Sequence, residues 1–247
     1  AAGLWAVWPG SGVEWAVYSD SLYVALAAWA CHAVLTRRWL TAGTLTFAAG
    51  LNRPTAAALI AALGVAVLLS LRRREDGALR PLLALALAPL GLLGYLLWVG
   101  DRMGDLGGYF KLQSGAWAHS FDYGEQTLDV LTSVPVGKFD YLFAYPFADV
   151  IAVGVILLAC ALLPLLLRLR PPAVLVVYTV LTLALVLGSQ QIVANISRYL
   201  LPCFPLFLPL AVAMRRLSLP VQCTLLGIAA LASGSYAGYA LFELGVP

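Results

Sequence analysis

Eight apolar runs fill this chain, at roughly 14–36, 39–51, 54–71, 79–99, 146–167, 173–189, 199–214 and 219–241. A bilayer core is crossed by about 20 apolar residues per helix, and several runs reach that length. None shows the period-two alternation of a strand, so helices rather than a barrel must satisfy the backbone in lipid. Hydrophobic residues make up 62% of the chain and charged residues 11%, more apolar surface than a soluble domain of 247 residues can bury. The expected fold class is all-α, a polytopic helical bundle of about eight membrane segments. It reads as a single membrane domain over 1–247, and a long polar, aromatic-rich stretch over 100–145 interrupts it.

The charges between the runs are sorted. If the runs alternate as crossings, one side holds Arg37, Arg38, Arg72, Arg73, Arg74, Arg80, Arg168, Arg170, Arg215 and Arg216, with Glu75 and Asp76 as its acids. The other side holds the remaining ten of twelve acids and five of fifteen cations: Arg53, Arg102, Lys111, Lys138 and Arg198. The positive-inside rule makes the arginine-rich side cytoplasmic. Both ends and the 100–145 loop then lie outside. The net charge of +3 is a topology signal and implies no nucleic acid. Cys31, Cys160, Cys203 and Cys223 lie in apolar runs without metal-ligand or disulfide spacing, and read as buried small apolar residues.

The chain opens Ala-Ala-Gly-Leu-Trp, which is no signal peptide. Residues 1–8 read as the tail of a helix ended by Pro9-Gly10, as though the sequence began partway into something longer. The 39–51 run is short for a crossing, so 39–71 is expected to be a tilted or re-entrant hairpin with Arg53 at its outer tip. The 100–145 stretch mixes acids and lysines with tyrosines, phenylalanines and Trp117, and reads as short amphipathic helices on the outer membrane surface.

Cations on the acidic side need a reason. Arg198, at the mouth of a helix carrying Pro202, Pro205 and Pro209, is either a snorkelling anchor or a ligand for an anionic group. Arg53 adds a second guanidinium at a helix end, suited to a phosphate or pyrophosphate head group, and Lys111 and Arg102 would complete such a pocket. Asp20 reads as a helix cap, or as a general base or metal ligand at the membrane face. Asp122 and Glu125, near His119, would suit a divalent metal ion or acid–base chemistry, against the plainer reading of solvated loop charge. Gln113 and Trp117 offer an amide and a stacking face to a sugar, or form one face of an interfacial helix. His32 reads as a packed or hydrogen-bonded helix residue. Asn195-Ile196-Ser197 matches a glycosylation sequon.

Several strings together resemble bacterial relatives of the PIG-V-type mannosyltransferases. They are Tyr18-Ser19-Asp20-Ser21-Leu22, Arg37-Arg38-Trp39-Leu40 followed by Ala42-Gly43, Leu51-Asn52-Arg53-Pro54-Thr55, and Lys111-Leu112-Gln113 with Trp117 and Phe121-Asp122. The longest match is Arg198-Tyr199-Leu200-Leu201-Pro202-Cys203-Phe204-Pro205-Leu206-Phe207. The shared order of these motifs over residues 10–210 carries the resemblance. The turn reads Asn52-Arg53 where Thr-Arg is commoner in the family.

The resemblance implies a GT-C fold and transfer of a sugar from a polyprenyl-phosphate donor to an extracytoplasmic glycan or glycolipid acceptor, in a bacterial plasma membrane. It also implies that the family's catalytic Asp belongs to a loop upstream of Ala1, so that this chain is the C-terminal portion of a longer enzyme. Arg198 and Arg53 would then stabilise the departing phosphate, with Asp20 in support. The alternatives are a transporter or lipid-handling protein, whose path would use the same arginines and broken helices, and a membrane subunit without catalysis.

Overall fold

The computed structural model describes residues 1–14, 18–74, 77–141 and 144–244. Its helices are α1 (Ala2–Ala6), α2 (Asp20–Leu35), α3 (Trp39–Asn52), α4 (Ala57–Arg73), α5 (Leu79–Met103), α6 (Gly108–Trp117), α7 (Glu125–Ser133), α8 (Pro146–Arg168), α9 (Ala173–Leu187), α10 (Ile196–Tyr199), α11 (Phe207–Met214) and α12 (Leu219–Phe242). A two-residue antiparallel ladder joins β1 (Ser120–Phe121) to β2 (Ser189–Gln190), with Ser120 opposite Gln190. The chain is an all-α integral membrane protein.

Among the described residues, four helical stretches are long and apolar enough to cross a membrane: Pro54–Arg73, Leu79–Met103, Pro146–Arg168 and Leu219–Phe242. The other apolar runs fold differently. α2 and α9 have 16 and 15 residues, short for a crossing. α3, with 14, is the short arm expected of the hairpin. The 199–214 run is broken: Val193–Tyr199 and Phe204–Met214 meet at a bend of 76°. Pro202 and Pro205 account for the break, since a proline offers no N–H and clashes with the turn before it. Conversely, α5 continues past Trp98 to Met103 and ends at Gly104 in the left-handed region (φ 64°).

The chain forms two compact units. One comprises Ser21–Ala116 and Pro171–Leu185. Its centre is a close parallel pairing of α3 and α5 through small residues, with α4 as the returning helix between them in sequence. A Cβ added to Gly91 would lie 1.9 Å from the Phe47 carbonyl oxygen, one on Gly50 2.6 Å from the Leu92 nitrogen, and one on Gly43 2.8 Å from the Ala84 Cα. Where lipid replaces water, helices gain by approaching closely enough for backbone contact, which small residues permit. Ala42, Leu63, Val67, Ala84 and Ala88 close the core together with Trp39. His32 in this unit is exposed, with its ring edge-on to Trp29 at 5.5 Å.

The other unit comprises Ala1–Asp20, Trp117–Arg170 and Val186–Pro247. Here α8 packs on residues 193–214, and the 3-10 turn Pro9–Glu14 packs on α10 and α12. Ser233 Oγ donates to the Trp8 carbonyl at 2.8 Å, tying α12 to the chain before that turn. This unit's share of the 100–145 stretch holds β1, α7 and a 3-10 turn at Val134–Val136, with Phe121 and Tyr123 exposed, while α6 up to Ala116 belongs to the first unit. Of the cysteines, Cys31 and Cys203 are buried but Cys160 and Cys223 lie on exposed helix faces, so burial holds for only half of them.

Candidate functional site

Arg198 is positioned by its backbone before its side chain makes any contact. The proline break leaves it in the one-turn helix α10, just ahead of the bend. Residues near the start of the chain grip that segment. Trp8 Nε1 donates to the Ser197 carbonyl at 2.7 Å, and Trp5 Nε1 donates to the Leu201 carbonyl at 3.0 Å. Gly10 lies against the same peptide, where a Cβ would be 2.5 Å from the Ser197 carbonyl carbon and oxygen and 2.6 Å from the Arg198 nitrogen. Only a residue without a side chain permits this approach.

The guanidinium is then held on two sides. Nε donates to Asp20 Oδ2 at 3.0 Å, across 178 residues of sequence. Asp20 is fully buried and the Arg198 side chain is only 13% exposed. The Arg198 Cζ lies 4.2 Å from the centroid of the Tyr18 ring and 5.5 Å from that of Tyr199. The His119 ring lies 5.6 Å beyond, tilted against Tyr199. Cation–π contacts strengthen as water is excluded, and removing one partner of a buried ion pair costs roughly 3–5 kcal/mol because the other is stranded. This is a fixed cation, unlike a snorkelling side chain with many rotamers. Behind it a cavity of about 20 Å³, among Pro9, Gly10, Ser197 and Tyr236, has room for about one water. A sugar phosphate is far larger than that cavity.

The two sequence motifs that meet are therefore those of Asp20 and Arg198. Asp20 begins α2, and its buried carboxylate accepts the Arg198 Nε–H and fixes the guanidinium. Asp122, which the sequence offers for metal binding or acid–base chemistry, accepts two backbone N–H groups. Its Oδ1 accepts the Gly124 N–H at 3.0 Å and its Oδ2 the Gln126 N–H at 2.9 Å, which starts α7. Glu125 is exposed on the first turn of that helix. Among the described residues, no three His, Cys, Asp or Glu side chains cluster as ligands for a divalent metal would. Trp117, in the same unit, is 60% exposed.

Arg53, Lys111 and Gln113 belong to the other unit. Arg53 ends α3 in an extended conformation, and its N–H donates to the Ala49 carbonyl. On either side of it, Asn52 Oδ1 and Thr55 Oγ1 are buried with no hydrogen-bond partner among the described residues. Lys111 pairs with Asp105 at the surface. That hydrogen bond, helped by the Gly107 N–H, holds the Asp105 carboxyl below its usual range. Gln113 is half-buried on α6, four residues from Trp117.

One carboxylate escaped sequence reasoning. Asp149 sits in the first turn of α8 and is fully buried. Its Oδ2 accepts the Tyr145 N–H at 2.6 Å and the Tyr141 hydroxyl at 2.9 Å, while Oδ1 has no partner among the described residues. Burial first, and then the Asp149 carboxylate, push the Tyr141 phenol above its ordinary range and keep it a donor. The available signal was an acid inside an apolar run directly after Tyr145-Pro146, since ionisable residues at membrane depth are functional candidates. The sequon at Asn195 is closed off: Asn195 and Ser197 are 6% and 3% exposed.

Comparison of the chain with protein-family models, curated proteins and solved structures found no match.

Proposed function

We propose that this protein is a membrane glycosyltransferase of the GT-C type, related to the PIG-V-like mannosyltransferases. It takes a sugar from a polyprenyl-phosphate donor at the extracytoplasmic face and passes it to a glycan or glycolipid acceptor. The observation that carries this reading is the Asp20–Arg198 pair. Two motifs that the family resemblance assigns to one site, 178 residues apart, meet through a 3.0 Å hydrogen bond. In the reaction, the acceptor hydroxyl gives its proton to a carboxylate, for which Asp20 and Asp122 are the candidates on this chain, and its oxygen bonds to the anomeric carbon. The bond from that carbon to the phosphate oxygen breaks, and the polyprenyl phosphate leaves with the electron pair. Arg198 meets the charge that develops there, preorganised by Asp20 and the tyrosine faces. Arg53 is the second candidate for the phosphate, with Asn52 and Thr55 as polar neighbours. Gln113 and Trp117 are candidates for the sugar. The eight-segment topology belongs to the same proposal, with α2, α3, α9 and the broken α10–α11 pair as the further segments.

A transporter or lipid-handling protein is the second reading, favoured by the 76° bend beside Arg198, because broken helices line many substrate paths. One experiment separates the two. The protein is reconstituted in sealed vesicles with radiolabelled polyprenyl-phosphate mannose and a mannoside acceptor. Label should move to the acceptor, and Arg198→Lys should cut transfer about 10²-fold, the effect of removing one transition-state donor, while still inserting. Lysine keeps the charge but loses the planar fork. Transfer at the wild-type rate by the lysine variant would defeat the role of Arg198. Translocation of the labelled lipid without transfer would establish the transporter.

A further inference from the structure

We infer that the arginine-rich end of the Ser21–Ala116 and Pro171–Leu185 unit carries a binding site for the phosphate of an anionic glycerophospholipid, independent of the sugar-transfer reading. The site is a cavity of about 210 Å³ where the ends of α2 and α4 meet the starts of α3 and α9. Arg37, in the turn between α2 and α3, and Arg73, in the last turn of α4, both line it, together with Ser70 of α4. Ala173 and Val174, in the first turn of α9, line the opposite wall. The first intrahelical bonds there are donated by Leu175 and Val176 to the Pro172 carbonyl, so the two preceding N–H groups lie ahead of the ladder. The α9 dipole adds to the positive potential of the two guanidiniums. An arginine has five N–H donors, so one that already holds a protein partner still binds phosphate.

The same cavity is apolar on its remaining walls: Val34, Leu35, Ala66 and Leu69. It is smaller than the roughly 300–1,000 Å³ of drug-sized sites, which suits a head group whose acyl chains lie outside along the helices. A free anion would gain nothing from those apolar walls. The arginine bias assigns this end to the cytoplasmic leaflet, where the anionic lipids lie. The flanking Arg72 and Arg74 are exposed and do not line the cavity, so they set the general basic field and provide its control.

The test is native mass spectrometry of the detergent-purified protein titrated with dioctanoyl-phosphatidylglycerol, dioctanoyl-phosphatidylcholine or inorganic phosphate. The wild type should retain one phosphatidylglycerol in preference to phosphatidylcholine. Arg37→Gln/Arg73→Gln should weaken that binding at least about tenfold, since hydrogen bonds between charged groups are the strong ones. Arg72→Gln/Arg74→Gln should leave it nearly intact. Circular dichroism and gel filtration show whether each variant is folded; if the glutamine pair is not, Arg37→Lys/Arg73→Lys replaces it, with weaker retention expected from the loss of the planar forks. Equal weakening by the two glutamine pairs would reduce the effect to diffuse charge and overturn the site. Displacement of phosphatidylglycerol by equimolar inorganic phosphate would overturn the lipid as its occupant.

Discussion

Gly10→Ala is the sharpest probe of how Arg198 is positioned. The added methyl would sit 2.5 Å from the Ser197 carbonyl carbon and oxygen and 2.6 Å from the Arg198 nitrogen, all backbone atoms that cannot rotate away. Ordinary carbon contacts are about 3.5–4.0 Å, so the two strands of chain must part by about 1 Å. Overpacking of this kind costs about 1–3 kcal/mol. The separation also strains the 2.7 Å bond from Trp8 Nε1 to the Ser197 carbonyl, whose loss adds about 1 kcal/mol. A total near 2–4 kcal/mol follows. If Arg198 receives the donor phosphate, a shift of about 1 Å also costs about 10²-fold in transfer. Thermal unfolding in detergent reads the first effect, and transfer from radiolabelled polyprenyl-phosphate mannose reads the second. Gly115→Ala is the control, since nothing lies within 4 Å of the added methyl. An unchanged melting temperature for Gly10→Ala would refute the packing argument. A lowered melting temperature with wild-type transfer would refute the role of Arg198 instead.

Further tests address the fold and the loop. Gly91→Ala, whose methyl would meet the Phe47 carbonyl oxygen at 1.9 Å, should push α3 from α5 and destabilise the protein by at least about 1–3 kcal/mol, read as reduced folded yield and melting temperature; wild-type stability would mean the helices are not so closely packed. Ala78→Cys and Leu106→Cys, flanking α5 in a background without other cysteines, should label from opposite sides of the membrane with an impermeant maleimide. Labelling of both from one side would defeat α5 as a crossing. Asp105 has a lowered carboxyl pKa, so the stability it contributes is fully present above its unfolded value, near about 4, and is lost as pH falls through the lower folded value. A carboxyl NMR titration should show that midpoint rise to the ordinary range in Lys111→Ala, and an unmoved midpoint would remove the pair as its cause.

The sequence by itself determined the solvent of this fold. Runs 54–71, 79–99, 146–167 and 219–241 became the long helices because lipid leaves a backbone no partner but itself. The short hairpin arm was legible from its length, and the break ahead of α11 was foreshadowed by its prolines. What hydropathy could not separate was a crossing from a shorter buried helix, because an averaged window does not say whether an apolar face meets lipid or protein. α2 and α9 are the cases in point. Arg198 and Asp20 were each readable as charges that needed a reason, but neither named the other. Their pairing depends on Trp8 and Gly10 gripping the peptide at Ser197, contacts that span nearly the whole chain. Asp122 stood out as a loop charge and accepts backbone N–H groups at the start of α7, while Asp149 looked like part of an apolar run and is a buried carboxylate with one oxygen unpaired among the described residues. Composition and period act locally along the chain, whereas burial and hydrogen-bond partners are decided by whichever distant backbone arrives, and that is settled only when the tertiary structure forms.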